Sequence, residues 1–296
     1  MNTHYQIVVL GAGESGVGAA ILAKKNRISV FVSDNGRISN NYKDVLINNE
    51  IDFEELGHSE EIIMQAQEVI KSPGIPDDIP IVRILAKNEI PIISEIEFAA
   101  RSTNAKLIMI TGSNGKTTTT LLIFHLLKTA GLNVGVAGNL GESFAKQVAN
   151  YDYDYYVLEI SSFQLDGMFN TKANIAVLLN ITPDHLDRYD FNFKRYAESK
   201  FKIFQNQSKE DALIFNIDDE IIASRISEGN IPSQLYPISL KENNINQGAY
   251  LNNNEIEIID NKTSINMTLE QLALQGKHNV YNSMAAGVAA DRKSVV

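Results

Sequence analysis

The sequence lacks cysteine and tryptophan altogether, and its 296 residues include only seven prolines. Without cysteine the chain cannot form disulfides, thiolate metal sites or a cysteine nucleophile. No uninterrupted apolar run approaches the roughly 18 residues that a membrane span needs. The N-terminal segment has no basic region and leads directly into a glycine loop, unlike a secretory signal. We therefore expect a cytoplasmic protein with no membrane partner.

Positive charge is also scarce, with 26 Lys and Arg residues against 36 Asp and Glu residues and a net charge of −10. Such a balance argues against broad nucleic-acid binding, although a local basic site can still hold a phosphate. The 44% hydrophobic and 21% charged residues are typical of a globular protein with real cores. A chain of this length corresponds to about two domains.

Short apolar runs alternate with helical patterns along the chain, beginning with Ile7–Leu10 and the glycine-rich segment after it. This alternation is typical of an α/β fold with a parallel sheet. The polar stretch 101–104 predicts a boundary between a domain at 1–102 and a second at 103–290. Residues 250–267 alternate apolar and polar side chains, which predicts an antiparallel edge or hairpin.

The clearest functional motif spans residues 111–118, between a predicted strand and a predicted helix. Glycines in such a loop let backbone amides turn toward an anion, and the helix N-terminus adds positive partial charge. Lys116 can then reach β- and γ-phosphate oxygens, and the Thr117 hydroxyl can bind Mg²⁺. Ile110 occupies the place of the first glycine of the general phosphate-loop pattern, so the loop is a variant. A purely structural glycine turn is the alternative.

Polar side chains follow three further strands of the predicted second domain. Asn139 follows the strand near residue 136, Glu159 ends an apolar run, and Asp184 and His185 follow the run at 175–181. Each residue alone is compatible with a structural or surface role. Because ligands gather beyond the carboxyl ends of parallel strands, we expect these side chains to converge beside the phosphate loop.

A second glycine motif, residues 11–16, follows the first strand and precedes a helix, and Asp34 lies 18 residues beyond Gly16. Taken alone, this pattern indicates NAD binding, so an NAD-dependent dehydrogenase is the alternative function. Against it, the first domain is only about 100 residues long and residues 56–80 do not read as the rest of a dinucleotide fold. A phosphate-loop ATPase without ligation is a third class.

Four motifs in this order resemble one family: residues 111–118 (TGSNGKTT), 159–165 (EISSFQL), 183–189 (PDHLDRY) and 276–282 (GKHNVYN). Together they resemble the Mur ligases, the ATP-dependent amide ligases of peptidoglycan precursor synthesis. The resemblance covers the chain to about residue 290. It implies an N-terminal Rossmann-like parallel-sheet domain that binds a UDP-sugar, followed by a phosphate-loop mononucleotide-binding α/β domain that binds ATP.

The resemblance also implies a reaction, in which D-glutamate is added to UDP-N-acetylmuramoyl-L-alanine through an acyl phosphate. Another Mur-type ligase is the closest alternative. ATP and two Mg²⁺ sites are implied, and we expect a monomer. The family resemblance identifies Lys200 as a carbamylated lysine, whereas the sequence alone predicts a solvated charge on an amphipathic helix.

The site residues that the resemblance implies fall into four groups. The catalytic residues would be Lys116, His185 and Lys200, and the metal ligands would be Thr117, Glu159, His185 and Lys200. ATP would contact Gly112, Ser113, Asn114, Gly115, Lys116, Thr117, Thr118, Asn279 and Asn282. The UDP-sugar would contact Gly13, Glu14, Ser15, Asp34, Asn35, Ser72, Pro73, Gly74, Asn139, Ser161 and His185.

Two expectations concern the end of the chain. Complete members of the family carry a C-terminal Rossmann-like domain that holds the D-glutamate site, which we expect to be absent here, leaving the fragment inactive alone. The last six residues, 291–296, abandon the small apolar pattern of residues 284–290. We expect them to be a non-native tail.

Overall fold

The computed structural model describes residues 5–241, 245–260, 263–272 and 276–292. Within these ranges the chain groups into two compact units. The first unit contains the described residues up to 104, together with 140–152 and 163–171. The second contains 105–139, 153–162 and the described residues from 172 onward. Two segments from the middle of the chain therefore belong to the first unit, which the sequence did not predict.

The described strands are short and mostly buried. In the first unit they are β1 (Ile7–Leu10), β2 (Val30–Ser33), β3 (Asp52–Glu54), β4 (Glu68–Lys71) and β5 (Ile92–Ile93). In the second unit they are β6 (Lys106–Thr111), β7 (Val134–Gly138), β8 (Tyr155–Glu159), β9 (Ile175–Leu178), β10 (Ala212–Asn216), β11 (Gln234–Ser239), β12 (Gly248–Asn252), β13 (Glu255–Asp260) and β14 (Thr263–Thr268).

The described helices alternate with these strands. They are α1 (Glu14–Lys25), α2 (Asn40–Asn48), α3 (Glu60–Ile63), α4 (Pro80–Lys87), α5 (Glu95–Ala100), α6 (Lys116–Thr129), α7 (Phe144–Asn150), α8 (Ser162–Asp166), α9 (Phe193–Phe201), α10 (Glu220–Ser227) and α11 (Lys277–Arg292). Short 3-10 turns cover Leu186–Tyr189, Lys202–Phe204 and Leu269–Gln271. None of these helices is long and apolar enough to cross a membrane.

The sheet of the first unit is parallel throughout, in the order β3-β2-β1-β4-β5. From β1 the chain first adds β2 and β3 on one side and then β4 and β5 on the other, so the strand order changes direction between β1 and β4. The glycine loop after β1 lies at this switch point. Val8, Leu10, Phe31, Val82 and Leu85 belong to one buried apolar cluster of this unit. This arrangement confirms the Rossmann-like domain that the sequence predicts.

The sheet of the second unit has the order β14-β13-β12-β11-β10-β9-β6-β8-β7. Strands β7 to β12 and β6 pair in parallel, whereas β13 and β14 pair antiparallel at one edge. The α/β class and the antiparallel hairpin at 250–267 are therefore confirmed. Helices α6 and α11 bury Ile123, Leu127, Met284 and Ala285 against the parallel strands.

One predicted strand is shorter than the sequence indicates. The apolar run 175–181 predicts a strand to Ile181, but β9 ends at Leu178. Leu179 and Ile181 are still buried, because the loop itself packs into the interior. The chain leaves the sheet after Leu178, and the Asn180 side chain binds the glycine loop between β6 and α6.

Candidate functional site

The loop between β6 and α6 has the shape that the glycine motif predicts. Gly115 adopts a left-handed conformation, with φ of 85°. A Cβ atom on Gly115 would lie 2.5 Å from the Asn282 Oδ1 atom. A side chain at this position is therefore disfavoured both by the left-handed backbone and by the lack of space. Helix α6 begins at Lys116, immediately after this turn. The loop therefore presents the N-terminus of a 14-residue helix.

The Lys116 side chain folds over its own loop. Its Nζ atom donates to the carbonyl oxygens of Gly112, at 2.9 Å, and Ser113, at 3.1 Å. Burial lowers the pKa of Lys116, and the negative charges of Glu159 and Asp184 partly oppose this shift. The ammonium group thus lies at the loop where a phosphate would be held.

Glu159 is the centre of a hydrogen-bonded cluster at the carboxyl end of β8. Its side chain is buried, and Oε2 accepts the Thr117 hydroxyl at 2.6 Å while Oε1 accepts the Asn139 amide at 2.8 Å. The parallel register brings Thr117 and Asn139 to Glu159, because Glu159 pairs with Ile110 of β6 and with Gly138 of β7. A carboxylate and a hydroxyl supply the oxygen ligands that Mg²⁺ prefers.

Lys200 is not solvated, so the expectation from its amphipathic helix alone is wrong. Its side chain is 2% exposed, and Nζ donates to the Gly112 carbonyl at 2.9 Å and lies 4.7 Å from the centre of the Tyr196 ring. Burial and the neighbouring Lys116 charge together lower the pKa of Lys200 to about 7, against the opposing charge of Asp184. Both lysines therefore share one carbonyl oxygen of the loop.

Asp184 and His185 lie on the loop that follows β9. The Asp184 charge opposes the lowered pKa values of Lys116 and Lys200 and adds to the raised pKa of Tyr196. His185 has a left-handed backbone, with φ of 48°, and its side chain is exposed. Its Nε2 atom lies 3.6 Å from the Asp184 carboxylate.

Asn279 and Asn282 lie one turn apart near the start of α11. The Asn282 amide donates to the Asn279 side-chain oxygen at 3.2 Å, and Asn282 is buried against Gly115. Asn279 lies within the helix, which begins at Lys277. The pair therefore lies next to Gly115 of the loop between β6 and α6.

Sequence reasoning missed a layer of polar groups that supports this loop. The Ser113 hydroxyl contacts the backbone of Thr182 at 2.8 Å and the Tyr196 hydroxyl at 2.9 Å. The Asn180 side chain accepts the Asn114 amide at 2.8 Å and donates to its carbonyl at 3.0 Å. Asn180 follows an apolar strand. Polar residues at the carboxyl ends of predicted strands are the signal that identified Glu159, and the same signal could have found Asn180.

The glycine loop of the first unit is tightly packed. A Cβ on Gly16 would lie 1.8 Å from the Gly11 carbonyl oxygen, so α1 sits against the loop. The Asp34 carboxylate accepts the amides of Ala12 and Gly36, each at 2.7 Å. Gly13 is the N-cap of α1. Asp34 therefore holds the loop itself.

The other residues expected at the UDP-sugar lie around this loop or elsewhere in the chain. The Glu14 carboxylate binds the Tyr42 hydroxyl and the Ser143 amide, both at 3.2 Å. The Ser72 hydroxyl donates to the Gly11 carbonyl at 3.4 Å. The remainder are half-buried or exposed turn residues, namely Ser15 in the first turn of α1, Asn35 after β2, Pro73 and Gly74 after β4, and Ser161 after β8.

Two protein-family models match the chain. The Mur ligase middle domain matches residues 110–290, and the MurD N-terminal domain matches residues 6–80. UDP-N-acetylmuramoylalanine--D-glutamate ligase from Bacteroides fragilis is 56% identical over 97% of this chain and 64% of the relative. The enzymes of that name from Porphyromonas gingivalis and Salinibacter ruber are 52% and 37% identical. This chain spans 64% of the length of the first two relatives and 63% of the third.

Solved structures share the fold. A UDP-N-acetylmuramate:L-alanyl-gamma-D-glutamyl-meso-diaminopimelate ligase from Neisseria meningitides aligns with a TM-score of 0.64 at 19% identity, over 98% of this chain and 94% of that one. UDP-N-acetylmuramate-alanine ligase MurC from Thermotoga maritima aligns with a TM-score of 0.56 at 22% identity, over 98% and 65%. These matches do not favour the dehydrogenase alternative. With its middle-domain model covering more than half of the residues, the chain belongs to the Mur ligase family.

Proposed function

We propose that this chain takes part in the ATP-dependent joining of D-glutamate to UDP-N-acetylmuramoyl-L-alanine in peptidoglycan precursor synthesis. The relatives at 50–56% identity carry the name of that ligase. The observation that carries the proposal is the contact between Thr117 of the glycine loop and the buried Glu159 carboxylate, at 2.6 Å. Thr117 lies in the first turn of α6, where a phosphate would bind, and Glu159 offers carboxylate oxygens at the end of β8.

The proposed reaction begins at the substrate's alanine carboxylate, whose oxygen attacks the γ-phosphorus of ATP while ADP leaves. The neutral amine of D-glutamate then attacks the carbonyl carbon of the acyl phosphate, phosphate leaves, and the nitrogen loses one proton to solvent as the amide bond forms. Lys116 would neutralise the β- and γ-phosphate oxygens, since its Nζ lies at the Gly112 and Ser113 carbonyls. The loop amides and the α6 N-terminus would hold the triphosphate in line.

The residues around Glu159 fit a magnesium ion. Among the described residues, no three His, Asp or Glu side chains gather into a metal cluster. Mg²⁺ needs no such cluster, because it is held by one or two carboxylates together with substrate phosphates and water. Thr117 and Glu159 would hold the ion, with His185 and Lys200 near a second one. The ion would neutralise charge on the phosphate oxygens.

The environment of Lys200 favours carbamylation. Its burial lowers the pKa to about 7, so much of the amine is neutral near neutral pH. A neutral Nζ atom attacks the carbon of CO₂ with its lone pair, a C–O π bond opens, and Nζ loses one proton to solvent. The product is an anionic carbamate that can serve a cation. We propose this role for Lys200 together with the phosphate and metal roles above.

The first unit would hold the diphosphate of the UDP-sugar. Its glycine loop offers backbone amides at the start of α1, which is the chemistry that holds diphosphates in such folds. Gly13, Ser15, Asn35 and the turn 72–74 would line this ligand. The ranges 1–102 and 103–290 remain our proposed UDP-sugar and ATP domains.

Calorimetric titration of the chain tests the proposal without requiring turnover. We expect binding of Mg²⁺-ATP and of UDP-N-acetylmuramoyl-L-alanine, with UDP competing only against the second ligand. NADH serves as the probe of the dehydrogenase alternative. Tight NADH binding without any UDP-sugar binding would overturn the proposal, and ATP hydrolysis independent of the UDP-sugar would favour a simple ATPase.

A further inference from the structure

Helix α5 carries two buried glutamates that belong to neither glycine loop. Glu95 is 2% exposed and Glu97 is fully buried, although they are only two positions apart. Each holds a different segment from later in the chain, namely 140–152 and 163–171. Both segments belong to the first unit, as α5 does. Buried carboxyl groups are costly, so each needs an account of its partners.

Glu97 is held as a charged carboxylate. It accepts the backbone amides of Phe169, Asn170 and Thr171 at 3.1, 3.2 and 2.9 Å, and the Thr171 hydroxyl at 2.5 Å. Arg101, which also binds Glu68 of β4, adds a contact at 3.4 Å. Burial opposes ionisation, but the hydrogen bonds from Thr171, Phe169 and Asn170 lower the pKa of Glu97. This cluster fixes the segment 163–171.

Glu95 is held in the opposite charge state. Its Oε1 atom accepts the Ala145 amide in the first turn of α7, and its Oε2 atom is buried. Burial and the negative charge of Glu14 together raise the pKa of Glu95 to about 8, against the hydrogen bonds from Ala145 and Ser143. Near neutral pH Glu95 is therefore mainly protonated.

Other charged groups surround this second contact. Glu14 faces it from α1, and Lys146 of α7 pairs with both Glu14, at 3.7 Å, and Glu142, at 3.0 Å. Tyr42 of α2 donates to Glu14 at 3.2 Å. Ionised Glu95 would add a second negative charge beside Glu14, in an interior that solvates neither.

We propose that Glu95 and Glu97 form a pH-sensitive device within the first unit, in which two buried carboxyl groups of α5 hold segments 140–152 and 163–171.

The two contacts respond to pH in opposite directions. A group whose pKa is raised in the folded state stabilises below its unfolded pKa, and this contribution is lost as pH rises toward the folded value. For Glu95 the loss runs from about 4.5 up to about 8. Glu97 has a lowered pKa, so its contribution is present above about 4.5 and is lost in acid below that value.

Amide hydrogen exchange of the whole chain, read by mass spectrometry and corrected for intrinsic rates, tests whether the two glutamates hold these segments to α5. In the wild-type chain we expect opening of 140–152 to increase by up to about tenfold per pH unit between about pH 5 and pH 8. Glu95→Gln should remove this dependence. Glu97→Gln should open 163–171 about tenfold or more near neutral pH, because buried amides lose an ionised acceptor. Glu61→Gln, which alters an exposed glutamate of α3, is the matched control.

An opening of 140–152 that does not change between pH 5 and pH 8 in the wild-type chain would overturn the proposal. Unchanged pH dependence in Glu95→Gln, or wild-type opening of 163–171 in Glu97→Gln, would overturn it as well.

Discussion

The two glycine loops of this chain share one plan, a strand, a turn and a helix, but they differ in charge. The loop after β6 has Lys116 at its helix start and Lys200 on its Gly112 carbonyl. The loop after β1 has Glu14 at its helix start and the Asp34 carboxylate beneath its amides. Both helix starts offer backbone amides, but only the loop after β6 adds cations to them.

This difference shows that the motif does not determine the ligand. A triphosphate with a metal ion needs cations and oxygen ligands close together, which the second loop has in Lys116, Thr117 and Glu159. The first loop has two carboxylates, which bind protein groups, so an anion there must be held by amides. The predictions below test that contrast from the largest effect to the smallest.

Replacing Lys116 by methionine should have the largest effect. We expect Mg²⁺-ATP affinity to fall about 100-fold, because charge-assisted contacts to phosphate are lost. Binding of UDP to the first loop should stay within about twofold, since Lys116 belongs to the second unit. Calorimetry with each nucleotide measures both, and equal losses for the two ligands would contradict the separation of the loops.

Gly115→Ala should destabilise the chain by about 1–2 kcal/mol, the cost of a left-handed backbone for a residue with a Cβ. The new atom would also approach the Asn282 Oδ1 atom. Gly13→Ala is the matched control in the first loop, because Gly13 has φ of −84° and no atom within 4 Å of an added Cβ. Chemical denaturation compares the two variants, and equal stability losses would refute the difference in packing.

Glu159→Gln should weaken the magnesium dependence of ATP binding about tenfold, because an amide is a poorer ligand than a carboxylate. The buried contacts to Thr117 and Asn139 can persist in part, so the fold should survive. Titrations of ATP at several Mg²⁺ concentrations report the effect. A variant with an unaltered magnesium dependence would remove Glu159 from the proposed metal site.

Asp34→Asn should have the smallest effect, about 1 kcal/mol of stability, since both amides lose a carboxylate acceptor and one of them then faces an NH₂ group. We expect a modest loss of UDP affinity and none of Mg²⁺-ATP affinity. Thermal unfolding with and without UDP gives both quantities. A larger effect on ATP than on UDP would reverse our assignment of the loops.

Much of this architecture follows from local sequence patterns. Apolar runs and glycine turns predict parallel strands and helix starts, and the strand-end rule finds Glu159 and Asn139 because parallel strands end at one edge. The burial of Lys200 could not be predicted, since an amphipathic helix shows which residues share a face but not what covers it.

The roles of Glu95 and Glu97 were hidden for another reason. Acidic residues in the first turn of a helix are common on protein surfaces, where they favour the helix dipole. Only the non-local contacts with residues 145 and 169–171 show that these two are buried. The same contacts explain why two later segments join the first unit.

Backbone amide chemical shifts of the isotopically labelled chain, recorded with UDP and with Mg²⁺-ATP, test the central contrast most directly. We predict that UDP shifts the amides of residues 11–16 and that Mg²⁺-ATP shifts those of residues 112–118. Both ligands shifting the same loop, or Mg²⁺-ATP shifting only residues 11–16, would contradict the assignment of the two loops.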